Sequence, residues 1–339
     1  MTASLTIFIV GLAVSFWYLF KTYAPVPVDP AWAVAGDLSI PKGAVTVRFT
    51  GTSTLLFSDG ETAWMVDGWF TRVGPLSLVS GTIEPDVAAI ARGLERNGLV
   101  GSDARLAAVI PVHSHFDHAM DAPEVARRTG ALLIGSESTA NIGRGWGLPE
   151  SQIRVAGDRE AFQLGAFKVT LVETRHFEFA DPEMREKALA NPRIEAPLVP
   201  PVGAFDYRVG QPYAIHVEHP RGSFLIQASA GFEEGAFAGL SADLVFLGIG
   251  GLGTQSAEYR EAYWRETVTR IHPERLFLIH WDDLTAPIEG PFRGTVRVAS
   301  ALSGGTDETR AYLETKAASL PEMRFLTLPR YDEVVLFSR

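Results

Sequence analysis

Cysteine is missing from all 339 positions of the chain. That absence excludes disulfide staples, a thiolate nucleophile and sulfur ligands, so any metal has to be held by His, Asp or Glu. Positive charge is scarce as well: 30 Lys plus Arg stand against 40 Asp plus Glu, a formal net charge of -10. No stretch concentrates the basic residues, so nucleic acid is not an expected partner. Short-period repeats are absent, and no low-complexity tract stands out beyond one Pro-rich stretch. What remains, with 46% hydrophobic residues, is a globular protein able to bury a large core.

One long run lacks charge altogether. Met1 to Phe20 carries no charged side chain before Lys21 and closes on Phe16-Trp17-Tyr18-Leu19-Phe20. Twenty helical residues at about 1.5 Å each reach roughly 30 Å, the thickness of a bilayer core. The run has no basic n-region, and its nearest A-x-A sequence, Ala33-Val34-Ala35, lies far downstream. Residues 1–23 therefore read as an uncleaved transmembrane anchor, with a cleaved signal peptide as the rival. Residues 24–44, Pro-rich from Ala24 to Pro30, read as a linker. The expected location is the bacterial inner membrane with the main domain in the periplasm, although Lys21 is the only nearby basic residue that orients the segment.

Residues 45–339 read as the main domain. Val45 to Phe49, Thr54 to Phe57 and Thr62 to Val66 have the Val, Leu, Phe and Thr content of short meander strands. Apolar residues at helical spacing (Val87, Ile90, Ala91, Leu94) predict a helix within Pro85 to Leu99, and Leu106 to Val112 predicts the strand that leads to His113. Helix then strand recurs at Ala122 to Gly130 and Ala131 to Gly135. A second strand-rich half follows at Phe167 to Thr174, Tyr213 to Val217, Ser223 to Gln227 and Leu244 to Gly248, then a helix near Ser256 to Ile271 and a strand at Leu276 to Ile279. Two β-rich halves with helices outside predict a four-layer α/β sandwich. Residues 177–211, with Pro182, Pro192, Pro197, Pro200 and Pro201, read as a surface flap carrying one short helix at Pro182 to Ala190.

The chemistry concentrates in Val112-His113-Ser114-His115-Phe116-Asp117-His118, between a strand and a helix. Residues two apart in extended chain point the same way, so His113 and His115 are able to share one cation, while Asp117 and His118 face a neighbouring position after the chain turns. Four ligand-type side chains within six residues, in a chain holding only 8 histidines, is a specific signal; a polar loop with solvated imidazoles is the bland reading it has to beat. His176 follows one strand and His280 closes another, where distant ligands would sit. The expected groups are His113, His115 and His176 on one zinc, and Asp117, His118 and His280 on a second, giving one or two Zn2+ per chain.

This order of motifs resembles the metallo-β-lactamase superfamily, from about Val45 to Phe337. Phe49-Thr50-Gly51-Thr52-Ser53-Thr54-Leu55-Leu56 and Trp64-Met65-Val66-Asp67 also resemble that superfamily's first strands. The resemblance implies an αββα sandwich with metals in a cleft at the edge of two sheets, and Asp67 supporting a ligand histidine through its other ring nitrogen. It also exposes a departure. Many dinuclear members carry a bridging Asp after the strand that here reads Phe224 to Gln227, and this chain has Ser229 at that place. Members whose second zinc is held by Asp, His and His do without the bridge. Glu233 and Glu234 lie nearby and read as solvated carboxylates.

Other polar residues read more plainly. His216 and His219 are spaced badly for a shared metal, and His272 stands at a helix end. Asp282 and Asp283 follow His280, either shaping the cleft or holding a substrate cation, against solvated turn residues. Gly248 to Gly253 lacks a phosphate-loop lysine and reads as close backbone packing beside the site.

The implied reaction is attack by a metal-bound hydroxide on an ester, lactone, amide or phosphodiester, with Asp117 orienting the water or carrying its proton. The expected partner is a small-molecule or lipid-derived substrate, together with a membrane through the N-terminal segment. A β-lactamase-like lactam hydrolase is one alternative. An iron-dependent oxidoreductase is another, disfavoured because that branch usually has Glu where His115 stands, and a silent metal-binding protein is the third.

Overall fold

Alternation along the strands decides which side chains face inward. The computed structural model describes residues 11, 14–19, 22–74, 77–78, 81–101, 104–297 and 305–338. The first sheet is laid down in spatial order by β1 (Val45–Gly51), β2 (Thr54–Ser58), β3 (Ala63–Val66), β4 (Ala108–Ile110), β5 (Leu132–Gly135) and β6 (Ile153–Val155). β1 to β3 pair antiparallel and β3 to β6 parallel. The second sheet repeats that mixture: β7 (Glu160–Leu164), β8 (Phe167–Glu173), β9 (Tyr213–His219) and β10 (Gly222–Gln227) are antiparallel. β11 (Leu244–Gly248), β12 (Arg275–Ile279) and β13 (Arg324–Leu326) then continue parallel to β10. β14 (Val334–Phe337) crosses back and pairs antiparallel with β1, so both sheets have seven strands.

Between β3 and β6 the chain forms α1 (Val87–Arg96), the single turn α2 (Phe116–Ala119), α3 (Ala122–Thr129) and α4 (Glu137–Gly145). Asp86 caps α1 by accepting from the amides of Ala88 and Ala89. Ile90 and Leu94 of α1 and Val125 and Ala126 of α3 bury Met65, Val109 and Leu133. The intervening residues Trp64, Val66, Ile110 and Ile134 point the other way, into a core shared by both sheets. Phe57 stacks on Trp64 at 4.8 Å and on Phe224 at 4.7 Å, and Phe246 stacks on Phe277 at 5.1 Å. Truncating one of these rings to Ala costs about 3–5 kcal/mol.

The flap carries α5 (Pro182–Leu189), capped by Asp181, and the second half adds α6 (Ala257–Trp264) and α7 (Thr306–Ser319). Tyr263 and Trp264 of α6 and Leu313 of α7 cover Leu225, Val245, Leu247, Leu276 and Leu278 on the outer face of the second sheet. Helix, sheet, sheet, helix is thus the observed layering, as two strand-rich halves with helices outside predict. The helix expected to run to Ile271 stops as an α-helix at Trp264 and widens into a π-helical turn, Arg265–Thr269, where the Thr267 hydroxyl donates to the Tyr263 carbonyl at 2.6 Å.

Of the expected anchor, residues 1–10, 12–13 and 20–21 lie outside the described residues, and residues 14–19 are helical. Among the described residues no helix is long and apolar enough to cross a membrane. The Pro-rich stretch after it is laid along the domain: Val28 is buried, and the Trp32 ring packs at a tilt against Phe325, centroids 5.3 Å apart.

Candidate metal centre

The strand leading to the ligands is shorter than its apolar run suggests. β4 ends at Ile110 because the Val112 amide is taken by the Asp67 carboxylate at 2.9 Å and the Val112 carbonyl by the Tyr213 amide at 2.8 Å. His113 to His115 therefore lie on a bent loop rather than in extended chain, and α2 carries Asp117 and His118. His176 follows β8 and His280 follows β12. All six residues expected as ligands meet at one edge of the sandwich.

They meet in the two expected groups. In each of His113, His115, His176 and of Asp117, His118, His280, the ligand-type atoms lie within 4.8 Å of one another. Asp117 Oδ2 is 3.4 Å from His118 Nε2 and 3.3 Å from His280 Nε2, and the two Nε2 atoms are 3.3 Å apart. Ligands about 2.0–2.2 Å from a tetrahedral ion stand about 3.3–3.6 Å from each other, so this triangle has the edges of half a zinc-sized polyhedron. In the other group His113 Nε2 is 3.1 Å from His115 Nδ1.

The outward nitrogens fix the tautomers. His118 Nδ1 donates to Asp67 Oδ2 at 2.9 Å, His176 Nδ1 to the Phe177 carbonyl at 2.7 Å, and His115 Nε2 to the Ala188 carbonyl of α5 at 3.2 Å. Each bond leaves a lone pair aimed inward, the arrangement that a cation relieves. Burial, aided by the neighbouring imidazoles, pushes His113 well below its ordinary value and His176 down to about 3. Burial also lowers His115, while in His118 the burial effect is outweighed by Asp67 and Asp117, which raise it. Burial alone would raise the Asp117 carboxyl; His118, His280 and His115 together hold it far below the carboxylate range. The donor set thus offers the three neutral imidazoles of His113, His115 and His176 and the ionised Asp117 carboxylate, a fit for a divalent ion.

Asp67 is fully buried and also accepts from the Ser53 hydroxyl at 2.5 Å. Asp282 is tied to the backbone beside the site. Its Oδ1 takes the Thr52 amide at 2.6 Å, and the Thr52 carbonyl takes the His280 amide at 2.5 Å. Thr52, Asp67 and His280 all have positive φ, of 54°, 59° and 57°, so backbone strain gathers around the second ligand group.

Ser229 is buried, and among the described residues Asp117 is the only carboxylate grouped with the histidines. Glu233 pairs with Arg175 on the surface. His216 donates to the Ser241 carbonyl at 2.9 Å and His219 faces Asp59 at 3.4 Å, both away from the metal groups. Gly250 lies against His280, where a Cβ would come within 2.5 Å of Nδ1.

Three supporting residues escape the sequence reading. Ser53 holds Asp67, Asp121 accepts from the amides of Phe70 and Thr71 at 2.8 and 2.6 Å, and Arg72 is buried on the Trp69 ring 3.8 Å from Asp282. Burial raises Asp121 to about 6 against those bonds. The signal available was the polar run Thr50 to Thr54, wedged between two apolar strands and fully or nearly fully buried.

An αββα sandwich with two histidine-rich ligand groups on one edge is the class that fold and site define. The chain is similar to Igni18, a metallo hydrolase from Ignicoccus hospitalis, at 16% identity and a TM-score of 0.49 over 86% of this chain and 97% of that one. It is also similar to an isothiocyanate hydrolase from Delia radicum gut bacteria, at 14% identity and a TM-score of 0.48 over 87% and 99% of the two chains. A third similar structure is CmlA, a diiron β-hydroxylase from Streptomyces venezuelae, at 10% identity and a TM-score of 0.48; 87% of this chain aligns with 54% of that one. No protein-family model and no curated protein matches the chain.

Proposed function

We propose that this chain is a zinc-dependent hydrolase of the metallo-β-lactamase superfamily, acting on an ester, lactone, amide or phosphodiester. The observation that carries it is the Asp117, His118 and His280 triangle, with edges of 3.3 to 3.4 Å, beside a second group of three histidines. Divalent ions bound there would lower the pKa of water towards neutrality and polarise the scissile oxygen.

The protein's own groups do the rest. Asp117 both belongs to a ligand group and lines the cavity above it, so its free oxygen is placed to orient water and accept a proton. As the water oxygen bonds to the carbonyl carbon or phosphorus, that proton passes to Asp117 and then to the departing oxygen or nitrogen. Asp67 keeps the His118 lone pair on the metal side, and Asp282 through Thr52 keeps His280 aimed.

The test is metal analysis of the purified full chain, with turnover of nitrocefin, a lactone, a thioester and bis(p-nitrophenyl) phosphate. Zinc near two per chain and hydrolysis of one substrate, both lost in His115→Ala, is the expected outcome. Iron in place of zinc, or hydrolysis surviving in His115→Ala, refutes the proposal.

A further inference from the structure

A cavity of about 480 Å³ opens over the ligand groups, large enough for a small ligand. Phe116, Phe179, Met184, Phe205 and Leu284 supply its apolar wall. Lys187, the cation on the rim, is held by Glu183 at 2.6 Å. Asp283 belongs to the lining and is 6% exposed; its Oδ1 accepts from the amide and hydroxyl of Thr285, while its Oδ2 has no hydrogen-bond partner and is covered by surrounding protein atoms. An unmatched buried carboxylate oxygen costs free energy, and a ligand donor would recover it once the side chain turned that oxygen toward the cavity.

The mouth of this cavity is tied to the N-terminal segment. Thr295 and Val296 line it. Across from them the Ala24 amide donates to the Thr295 carbonyl at 2.8 Å, the Arg297 amide to the Thr22 carbonyl at 3.0 Å, and Tyr23 bridges Val296. Just before this strap, Val14, Phe16 and Trp17 are each 59% exposed and Tyr18 is 47% exposed, within the twenty residues that carry no charge. Arg297 lies over Tyr18 at 4.6 Å and Arg293 over Tyr23 at 5.1 Å. Aromatic rings and arginines at the end of an apolar helix are the side chains favoured where hydrocarbon meets lipid headgroups.

We propose that the cavity takes an amphiphile drawn from a bilayer in which the N-terminal segment is seated, its aliphatic chain against the Phe116 to Leu284 wall and a hydroxyl or ammonium donor on the Asp283 carboxylate, whose unmatched oxygen turns toward it on binding. The chemistry at the bond it presents rests on the hydrolase reading; the recognition does not.

Two measurements on the zinc-loaded full chain test this without turnover. Alkylammonium ions from butyl to decyl are titrated beside alkyltrimethylammonium ions of equal length, which keep the charge and lack the donors. Affinity should rise roughly fourfold per added methylene, and the donor series should bind at least about tenfold tighter than the trimethyl series, a gap that Asp283→Asn closes. Affinity independent of chain length, or a gap untouched by Asp283→Asn, overturns the assignment.

The absence of cysteine makes single-site labelling clean. A polarity-sensitive dye at Met184→Cys, on the rim, should be quenched by headgroup spin-labelled lipid in phosphatidylglycerol and phosphatidylcholine vesicles. The same dye at Lys168→Cys, at the opposite end of β8 from His176, should not. Equal quenching at both positions, or a chain that does not float with vesicles, overturns the bilayer route. A chain that passes both tests yet hydrolyses nothing loses the proposed reaction and keeps its ligand.

Discussion

Asp67 carries the second ligand group on one carboxylate, with Ser53, Val112 and His118 all bonded to it. Removing it frees the His118 ring to turn and to take the other tautomer. Asp67→Ala should weaken metal binding at the Asp117, His118, His280 group about 10- to 100-fold and leave the other group nearly unchanged, read as two steps in a calorimetric titration. Equal loss at both steps would show that Asp67 supports the fold generally. Glu124 offers a test of charge away from the metals. Burial raises its carboxyl, but bonds from Arg127, Trp146 and Arg128 outweigh it and hold it at about 2, against 4.5 ordinarily. With the folded value below the unfolded one, its contribution is complete above about pH 4.5 and is lost as pH falls towards 2. Glu124→Gln should therefore cost about 1–2 kcal/mol at pH 7, discounted because both arginines are partly exposed, with the deficit shrinking below pH 4.5 in urea titrations of metal-free protein. A deficit independent of pH would assign the loss to packing. The two groupings of ligand-type side chains, and Asp67 beside them, were legible because ligand chemistry needs particular side chains at particular spacings. Ser53, Arg72 and Asp121 were not, since they act on backbone amides or on one another across segments that only the fold brings together.

Among elements, the glycine-rich loop between β11 and α6 holds the sharpest constraint. The Gly250 backbone passes so near His280 that a methyl group there would push the ring off its partners. Gly250→Ala should drop bound zinc from two per chain towards one, with thermal stability changing much less; full zinc retention would mean that the loop gives way at little cost. Legibility at this scale followed burial on both faces. β11 and β12 are continuous apolar runs, readable because nothing else in a globular protein demands them. α7 was missed because Thr306–Ser319 has only Leu313 and Thr309 buried, and it is held by its contact with the Gly253 loop, where Thr309 Oγ1 accepts from the Gly253 amide at 2.9 Å. α4 was missed because it contains two glycines, and its Ser136 cap and packing against β5 and β6 decide the outcome. The flap helix α5 was expected, but not its carbonyl contact to His115.

For the molecule as a whole, four layers could be anticipated from two strand-rich halves, whereas the return of β14 to β1 could not. Nothing local specifies which distant edge a four-residue strand joins. Metal removal should lower global stability by mass action, by about 2.7 kcal/mol when free zinc had stood at 100 times its dissociation constant, seen as a fall in the urea midpoint with chelator; an unchanged midpoint would mean that the unfolded chain binds zinc as well as the folded one. His118 and His280 are 162 residues apart and follow strands of different sheets. An ion shared by them is a gauge of completed assembly: neither half of the chain released alone by a protease would retain it. On the proposed reading, newly made protein would acquire the ion only once β12 had joined its sheet, so metal uptake would time a late step of folding.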